Sequence, residues 1–189
     1  MRCGTVCAVL LTAALVFLVG CTKKRSPAPE QKPGAGFSSA DAASIGTTVP
    51  TMVELSDMYV SPETYDLKVT VAEIIRGEKS MEFLKRLGTS NEQPRTGSEN
   101  VLARVRFEYK ARGAPGDKPW ELSGVQFSAF SENNRPYGGS PSIWALQPGP
   151  KVLLRPGDAL ECWLVFLVAK IDRKPVMVFN PGGAWFHLY

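Results

Sequence analysis

Apolar and charged side chains alternate along residues 101–110, which carry the clearest strand pattern of the chain. Odd-numbered positions from Val101 to Tyr109 are apolar or aromatic, whereas Arg104, Arg106 and Lys110 between and after them are charged. A period of two is typical of a strand with one buried face. Related patterns predict further strands at 67–71, 125–129, 160–169, 176–179 and 185–189.

The period changes to that of a helix only between residues 80 and 87. Met81, Leu84 and Leu87 recur every three residues, Ser80 is placed to act as the N-cap, and Gly88 follows as a stop signal. Turns rich in Pro and Gly separate the predicted strands. This order of elements predicts an all-β protein, an antiparallel sandwich or barrel with one short helix.

The first twenty residues have the pattern of an export signal. Arg2 precedes an unbroken apolar run at 6–19, and the small residue Gly20 follows it. The run is too short to span a bilayer, which needs about 20 residues in a helix, although a shortened transmembrane anchor is the alternative. We therefore interpret residues 1–20 as a signal peptide.

The segment Leu18-Val19-Gly20-Cys21 at the end of this run resembles the lipobox of bacterial lipoproteins. The resemblance implies cleavage between Gly20 and Cys21 and acylation of Cys21, which becomes the lipid-anchored N-terminus. Two or three acyl chains hold a protein stably on a membrane, whereas one chain is marginal. We therefore expect the protein on the extracytoplasmic face of the cell membrane or of the outer membrane.

Residues 21–50 are predicted to be the lipidated cysteine and a flexible linker. Between Thr22 and Pro50, 19 of 29 residues are Pro, Gly, Ser, Ala or Thr, a composition that buries too little apolar surface to order a chain. The basic run Lys23-Lys24-Arg25 lies directly after the lipid site, where it favours an anionic bilayer or is an accidental charge run. A single folded domain is predicted at 51–189.

The order of elements in this domain supports a second resemblance. The stretch VAEIIRGEKSMEFLKRLGTSNEQPRTGSENVLARVRFEY, then LRPGDALECWLVFLV and finally AWFHL, resembles the telokin-like immunoglobulin-fold domains of bacterial cell-surface lipoproteins over about residues 65–189. The resemblance implies an immunoglobulin-like antiparallel β-sandwich in an envelope setting. It carries no consensus catalytic residue.

The side chains that support catalysis or metal binding are scarce. His187 is the single histidine, so a multi-histidine metal site is excluded, and Cys162 lies in an apolar alternation that predicts a buried, unreactive thiol. Nucleophile, phosphate and calcium motifs are absent from the sequence. The small net charge of +4 neither demands nor excludes a nearby anionic surface. We expect no enzyme activity, cofactor, metal or nucleic-acid partner.

Recognition is the remaining class of function. Arg104 and Arg106 share one face of the predicted strand at 101–110, which suits an anionic polymer or is a solvated face. Trp120 and Trp144 lie near turns and are candidate exposed aromatics, the alternative being core packing. We therefore expect a non-catalytic module that binds an envelope protein or polymer. Two alternatives stay open: a hydrolase of envelope carbohydrate or peptidoglycan that uses paired carboxylates, and a purely structural envelope protein.

Overall fold

Antiparallel β-strands make up most of the part of the chain that the computed structural model describes, which is residues 35–57, 60–88, 93–113, 116–145 and 152–189. The predicted signal peptide and Cys21 lie outside these residues. The described part contains ten strands and one α-helix, α1 at Glu78–Arg86. The strands are β1 Thr48–Asp57, β2 Val60–Arg76, β3 Ser98–Ala111, β4 Trp120–Leu122, β5 Phe127–Phe130, β6 Ser142–Ala145, β7 Val152–Leu154, β8 Ala159–Ala169, β9 Val176–Phe179 and β10 Ala184–His187.

The strands form an all-β sandwich, as predicted. One sheet has five strands in the order β1-β2-β3-β8-β6, the other has three in the order β10-β9-β5, and β4 pairs with β7. All of these pairings are antiparallel. In β3 the alternation described above sorts the side chains, since Val101, Ala103, Val105, Phe107 and Tyr109 all belong to the core.

Aromatic rings join the two layers of the sandwich around Phe107. Its ring centroid lies 5.9 Å from that of Trp120, 6.1 Å from that of Phe127 and 6.4 Å from that of Phe179. These partners come from β4, β5 and β9, so a single side chain of the large sheet contacts each of the smaller sheets. Tilted and edge-on ring pairs at such distances add to the free energy of simple burial.

The helix α1 lies over one end of the outer face of the five-stranded sheet. Its Phe83 ring packs against Trp163 of β8, with 4.6 Å between the centroids. Leu102 of β3 points to the same outer face by alternation, yet it is fully buried. The helix therefore closes a second, smaller apolar layer. No helix in the described ranges is long and apolar enough to cross a membrane.

The predicted end of α1 is confirmed, but the predicted N-cap is wrong. Gly88 has a φ of 69° and follows the last helical turn, as the stop signal indicated. The N-cap is Gly77, whose φ is 65°, and Ser80 lies inside the first turn. The Ser80 hydroxyl is buried and donates a hydrogen bond of 2.6 Å to the Gly77 carbonyl, which is why it is unavailable as a cap.

The predicted strand at 125–129 also begins later than expected. Val125 lies in a 3₁₀ turn, Gly124–Gln126, and is 73% exposed, whereas β5 starts at Phe127. The Gln126 side chain holds this turn because its oxygen accepts from the Ser123 N–H at 3.0 Å and its amide donates to the Glu121 carbonyl at 3.1 Å. A local side-chain bond thus outweighs the apolar alternation.

The predicted linker is wrong for residues 36–50, because they belong to the sandwich. The Ala43 N–H donates to the Trp185 carbonyl at 2.8 Å, and the Ala43 carbonyl accepts from the His187 N–H at 3.0 Å. Ala43 and Val49 are fully buried, and β1 already begins at Thr48. A Gly- and Ala-rich composition misled the prediction, since small residues here allow the chain to lie directly on β10. The folded part therefore begins before residue 51.

The Gly36→Ala variant tests this assignment. Gly36 has a φ of 99°, and a Cβ there would lie 2.5 Å from Val49 Cγ2, so both backbone strain and a clash are expected. We expect the free energy of unfolding to fall by about 2 kcal/mol or more. Urea unfolding followed by tryptophan fluorescence measures it.

Gly46→Ala is the matched control. Gly46 also has a positive φ, 85°, but a Cβ there meets nothing within 4 Å. We expect a loss of only about 1 kcal/mol from the backbone strain. If Gly36→Ala and Gly46→Ala both leave the free energy of unfolding almost unchanged, residues 36–50 belong to the linker and not to the sandwich.

Candidate functional site

A groove of about 610 Å³ runs around the end of β8, on the side of that strand that faces β6. It reaches from the outer face of the large sheet into the gap between the layers, since it is lined both by Leu167, which is 41% exposed, and by the buried Phe166. The lining residues are Gln93, Pro94, Arg95, Asn100, Ala129, Tyr137, Gly138, Gly139, Ser140, Pro141, Ser142, Val165, Phe166 and Leu167.

The groove exists because β8 is longer than its neighbour β6. The pairing of these strands ends where Ser142 lies opposite Val165, whereas β8 continues to Ala169. On its other side β8 stays paired with β3 as far as Ala169. The last residues of β8, after Val165, are thus paired with a described strand on one side only.

Strand alternation decides which backbone groups face the groove. The Lys170 N–H donates to the Gly97 carbonyl at 2.9 Å, toward β3. Because both backbone groups of one residue point to the same side of an antiparallel strand, and neighbouring residues point to opposite sides, Ala169 and Leu167 turn theirs away from β3. Among the described residues, the N–H and C=O of Leu167 therefore have no strand partner.

Tyr137 and Asp172 close one end of the groove. The Tyr137 hydroxyl donates to the Asp172 carboxylate, which also accepts from the backbone N–H of Lys174 at 3.1 Å and of Glu132 at 3.3 Å. Burial, and then the bond to Asp172, raises the pKa of Tyr137 to about 12, while the nearby Ala169 backbone and Arg76 oppose the rise. At neutral pH the Tyr137 side chain is therefore uncharged, and its bond to Asp172 fixes its position at the end of the groove.

The described lining of the groove carries one positive charge. Among the described residues that line it, Arg95 is the single ionic one, the others being neutral amides, hydroxyls and apolar groups. Within the described ranges Arg95 forms no ion pair. The groove therefore favours a ligand that brings a negative charge and several hydrogen-bonding groups.

An adjoining groove of about 410 Å³ lies beside α1 and shares Gln93, Pro94 and Asn100 with the first. Its lining includes two carboxylates, Glu78 and Glu99. The Glu99 carboxylate accepts from Arg76 Nη2 at 2.5 Å, and the same nitrogen donates to the Asp172 carbonyl at 2.8 Å. Arg76 thus ties β2, β3 and the turn after β8 together, and it occupies the Glu99 carboxylate. In the described part of the chain no cluster of three or more His, Cys, Asp or Glu side chains could hold a metal ion.

The predicted basic face of β3 is cancelled by acidic residues of its neighbours. Arg104 lies between Glu73 of β2, at 3.2 Å, and Glu161 of β8, at 3.4 Å. Arg106 pairs with Glu108 of its own strand at 3.1 Å. These exposed pairs leave little net charge to attract an anionic polymer, and each is worth at most about 1 kcal/mol. The face is therefore a solvated, internally paired surface.

The prediction that Trp120 is exposed is wrong. Only 3% of the residue is accessible, and its ring contacts Phe107 and Phe179. The preceding loop is tied to the sheet at Lys118, whose N–H donates to the Tyr65 hydroxyl at 3.1 Å and whose carbonyl accepts from the Tyr109 hydroxyl at 3.0 Å. These bonds turn the Pro-Trp segment inward, so the tryptophan becomes part of the core.

Two further predicted residues lie at the limit of the described structure. The backbone of Trp144 lies in β6 opposite Trp163, and its side chain falls outside the described part. Cys21, the predicted lipidation site, falls outside it entirely. Trp120, Arg104 and Arg106 are not among the described lining residues of the two grooves.

The remaining titratable residues behave as predicted from their setting. Cys162 is fully buried, and burial raises the pKa of its thiol to about 12. His187 lies half-buried on the terminal strand β10, with its ring 4.7 Å from that of Tyr189. It lines a small cavity of about 120 Å³ together with Lys174 and Glu132.

Sequence reasoning missed the groove at β8, although part of its signal was present. The apolar stretch at 160–169, which forms β8, is much longer than the stretch at 142–145, which forms its neighbour β6. Gly138-Gly139 indicate a turn shortly before β6. In the sequence these glycines indicate only one of the turns that separate the predicted strands. The difference in strand length that opens the edge becomes visible only with the register.

Comparisons with known proteins leave the chain without a family. No protein-family model and no curated protein matches the sequence. Among solved structures, a conserved hypothetical protein from Bacillus anthracis is similar over 74% of this chain and 97% of its own, with 14% sequence identity and a TM-score of 0.40. A similarity this distant assigns neither fold nor function.

The environment of His187 predicts a loss of stability in mild acid. Its Nδ1 is buried without a hydrogen-bond partner among the described residues, and burial lowers the pKa of His187. Since the unfolded chain, with a histidine pKa of about 6.5, then binds this proton more readily, stability falls as the pH drops below that value and levels off below the folded pKa.

Urea unfolding of the wild type and of His187→Gln at about pH 7 and about pH 5 measures the effect. The wild type is expected to lose more stability than the variant between these two values. An identical pH dependence of the two proteins would show that His187 does not contribute it.

Proposed function

We propose that this chain is a lipid-anchored protein of the bacterial cell envelope whose β-sandwich is a non-catalytic binding module, with the groove at β8 as its binding surface. The observation that supports the groove most strongly is the backbone of Leu167 inside it, which pairs with no strand on its β6 side in the described part of the chain. Pairing a solvent-facing strand edge with a ligand gains hydrogen bonds without breaking any within the protein.

The anchor part of the proposal rests on Leu18-Val19-Gly20-Cys21 and on the resemblance to telokin-like lipoproteins. Because the sandwich already includes Gly36, only fourteen residues, 22–35, separate it from Cys21. A flexible chain of that length spans about 20 Å. The domain would therefore work close to the membrane surface.

Three other functions have less support. Binding of an anionic polymer to β3 is disfavoured by the ion pairs of Arg104 with Glu73 and Glu161. Hydrolysis needs a free acid and base pair, and of the two carboxylates in the groove beside α1, Glu99 is engaged by Arg76. A purely structural role gives no reason for an open strand edge lined by polar groups.

The Cys21→Ser variant tests the anchor. We expect it to lose metabolic labelling with a palmitate analogue and to leave the membrane fraction, because the thiol is the acylated group in the proposal. The matched control is Cys162→Ala, which removes a buried thiol and is expected to keep both properties. Labelling and membrane association that persist in Cys21→Ser would refute lipidation at that residue.

A photo-crosslinking amino acid at Ser140 tests the binding surface. Ser140 is exposed and lines the groove, whereas Thr64 is exposed on β2 far from the groove lining and serves as the control position. In cells that express the full chain, we expect discrete crosslinked species from Ser140 and background from Thr64. Identical patterns from the two positions would show that the groove is not a binding surface.

A further inference from the structure

We infer that the ligand of this groove is an extended polypeptide segment of another protein, which adds to β8 as a strand and pairs with the backbone of Leu167. This inference rests on the proposed function and names its ligand class. The expected mode is strand addition, in which backbone hydrogen bonds supply affinity and alternate side chains supply specificity.

The edge at Leu167 is preformed. The end of β8 is held on its other side by β3, where Asn100 lies opposite Leu167 and Ser98 lies opposite Ala169. Tyr137 stands at Ala169 and marks the limit of the site. A ligand strand that continues the line of β6 therefore meets one residue, Leu167, whose N–H and C=O have no strand partner within the described ranges.

Three other sheet edges, those of β10, β5 and β1, are covered or interrupted. Along β10 the edge is occupied by residues 36–43, since the Trp185 N–H donates to the Gly36 carbonyl at 2.7 Å. Along β5 the chain returns, and the Tyr137 N–H donates to the Ala129 carbonyl at 2.8 Å. In β1, Pro50 lacks an N–H, and the Thr51 side-chain hydroxyl donates to the Gly182 carbonyl at 2.7 Å. Proteins protect edges in these ways, and no described residue protects the end of β8 so.

The side chains of the ligand follow from the faces of the strand. The residue opposite Leu167 places its side chain on the outer face, beside the half-exposed Leu167, where an apolar group is favoured. Its two neighbours point into the gap that Phe166 and Ala129 line, where small side chains fit. Arg95 lines the same groove and forms no ion pair within the described ranges, so an acidic residue of the ligand gains an ion pair.

A synthetic peptide with these features is the probe. We choose acetyl-Thr-Glu-Ala-Val-Ala-Thr-Thr-amide, in which Val is to lie opposite Leu167 and Glu shares its face. One derivative carries N-methyl groups on Val and on the Thr two residues after it. This removes two N–H donors from the edge of the peptide that is to meet β8. Its isomer carries them on both Ala residues, which leaves that edge intact and alters the opposite one.

Titration calorimetry and amide hydrogen exchange on the full chain in detergent micelles measure binding. We expect the unmodified peptide and the Ala-methylated isomer to bind and to slow exchange of the Leu167 amide by about ten-fold or more. The isomer methylated on Val and Thr is expected to bind about ten-fold more weakly or worse, because it loses a backbone donor and meets β8 with a methyl group.

Variants of the protein locate the contact. Leu167→Pro removes the edge N–H without touching the pairing to β3, and we expect about ten-fold weaker binding, whereas Leu167→Val should stay within about three-fold. Circular dichroism checks that both variants fold. If Leu167→Pro does not fold, the two methylated peptides decide whether the peptide pairs with the edge of β8. Arg95→Gln and the peptide with Gln for Glu should each weaken binding about two- to five-fold, and together no further than either alone.

Three results would overturn the inference. Equal affinity of the two methylated isomers would exclude pairing at the strand edge. Protection of the Leu167 amide that rises with protein concentration without peptide would identify a second copy as the occupant. Binding of tri-N-acetylglucosamine, with groove signals shifted and no peptide bound, would make the ligand a glycan. The proposed binding function survives the glycan result, and it fails separately if Ser140 yields no specific crosslinks.

Discussion

The contact of Phe107 with the aromatic rings of β4, β5 and β9 is the interaction on which the rest of the structure depends. It joins the five-stranded sheet to both smaller sheets at centroid distances of 5.9 to 6.4 Å. Without it, β3 would have an apolar face and nothing to bury it against. Because Trp120 contributes to this cluster, it is unavailable for ligands, and any binding surface has to be sought at the edges of the sheets.

The way in which other segments cover those edges explains where the groove lies. Residues 36–43 cover β10, the return of the chain at Tyr137 covers β5, and β6 covers β8 only as far as Val165. Strand edges attract other strands, so an uncovered one is either a hazard or a site. The Tyr137 hydroxyl, bonded to Asp172 and to the Ala169 backbone, limits the length of this edge. A short edge of defined length is the arrangement expected of a site.

Register across the large sheet sets the electrostatics of its outer face. Arg104 follows Glu73 by 31 positions and precedes Glu161 by 57, yet both carboxylates lie within 3.4 Å of it. A strand viewed alone looks basic, whereas the same strand between its neighbours is nearly neutral. The electrostatic field over this face is therefore weak, and the charge of Arg95, which has no ion-pair partner among the described residues, becomes more significant in the groove.

Local chemistry in the sequence determined much of this protein. Alternation identified β3, β8 and the buried Cys162, and Gly88 identified the end of α1, because these depend on near neighbours in the chain. Tertiary structure decided the rest: that Trp120 turns inward, that residues 36–50 join the sandwich, that Arg104 forms ion pairs, and that no described strand pairs with the backbone of Leu167 on its β6 side. Each of these depends on register and strand length relative to residues distant in the chain, and alternation specifies which face a side chain takes but not what lies beside it.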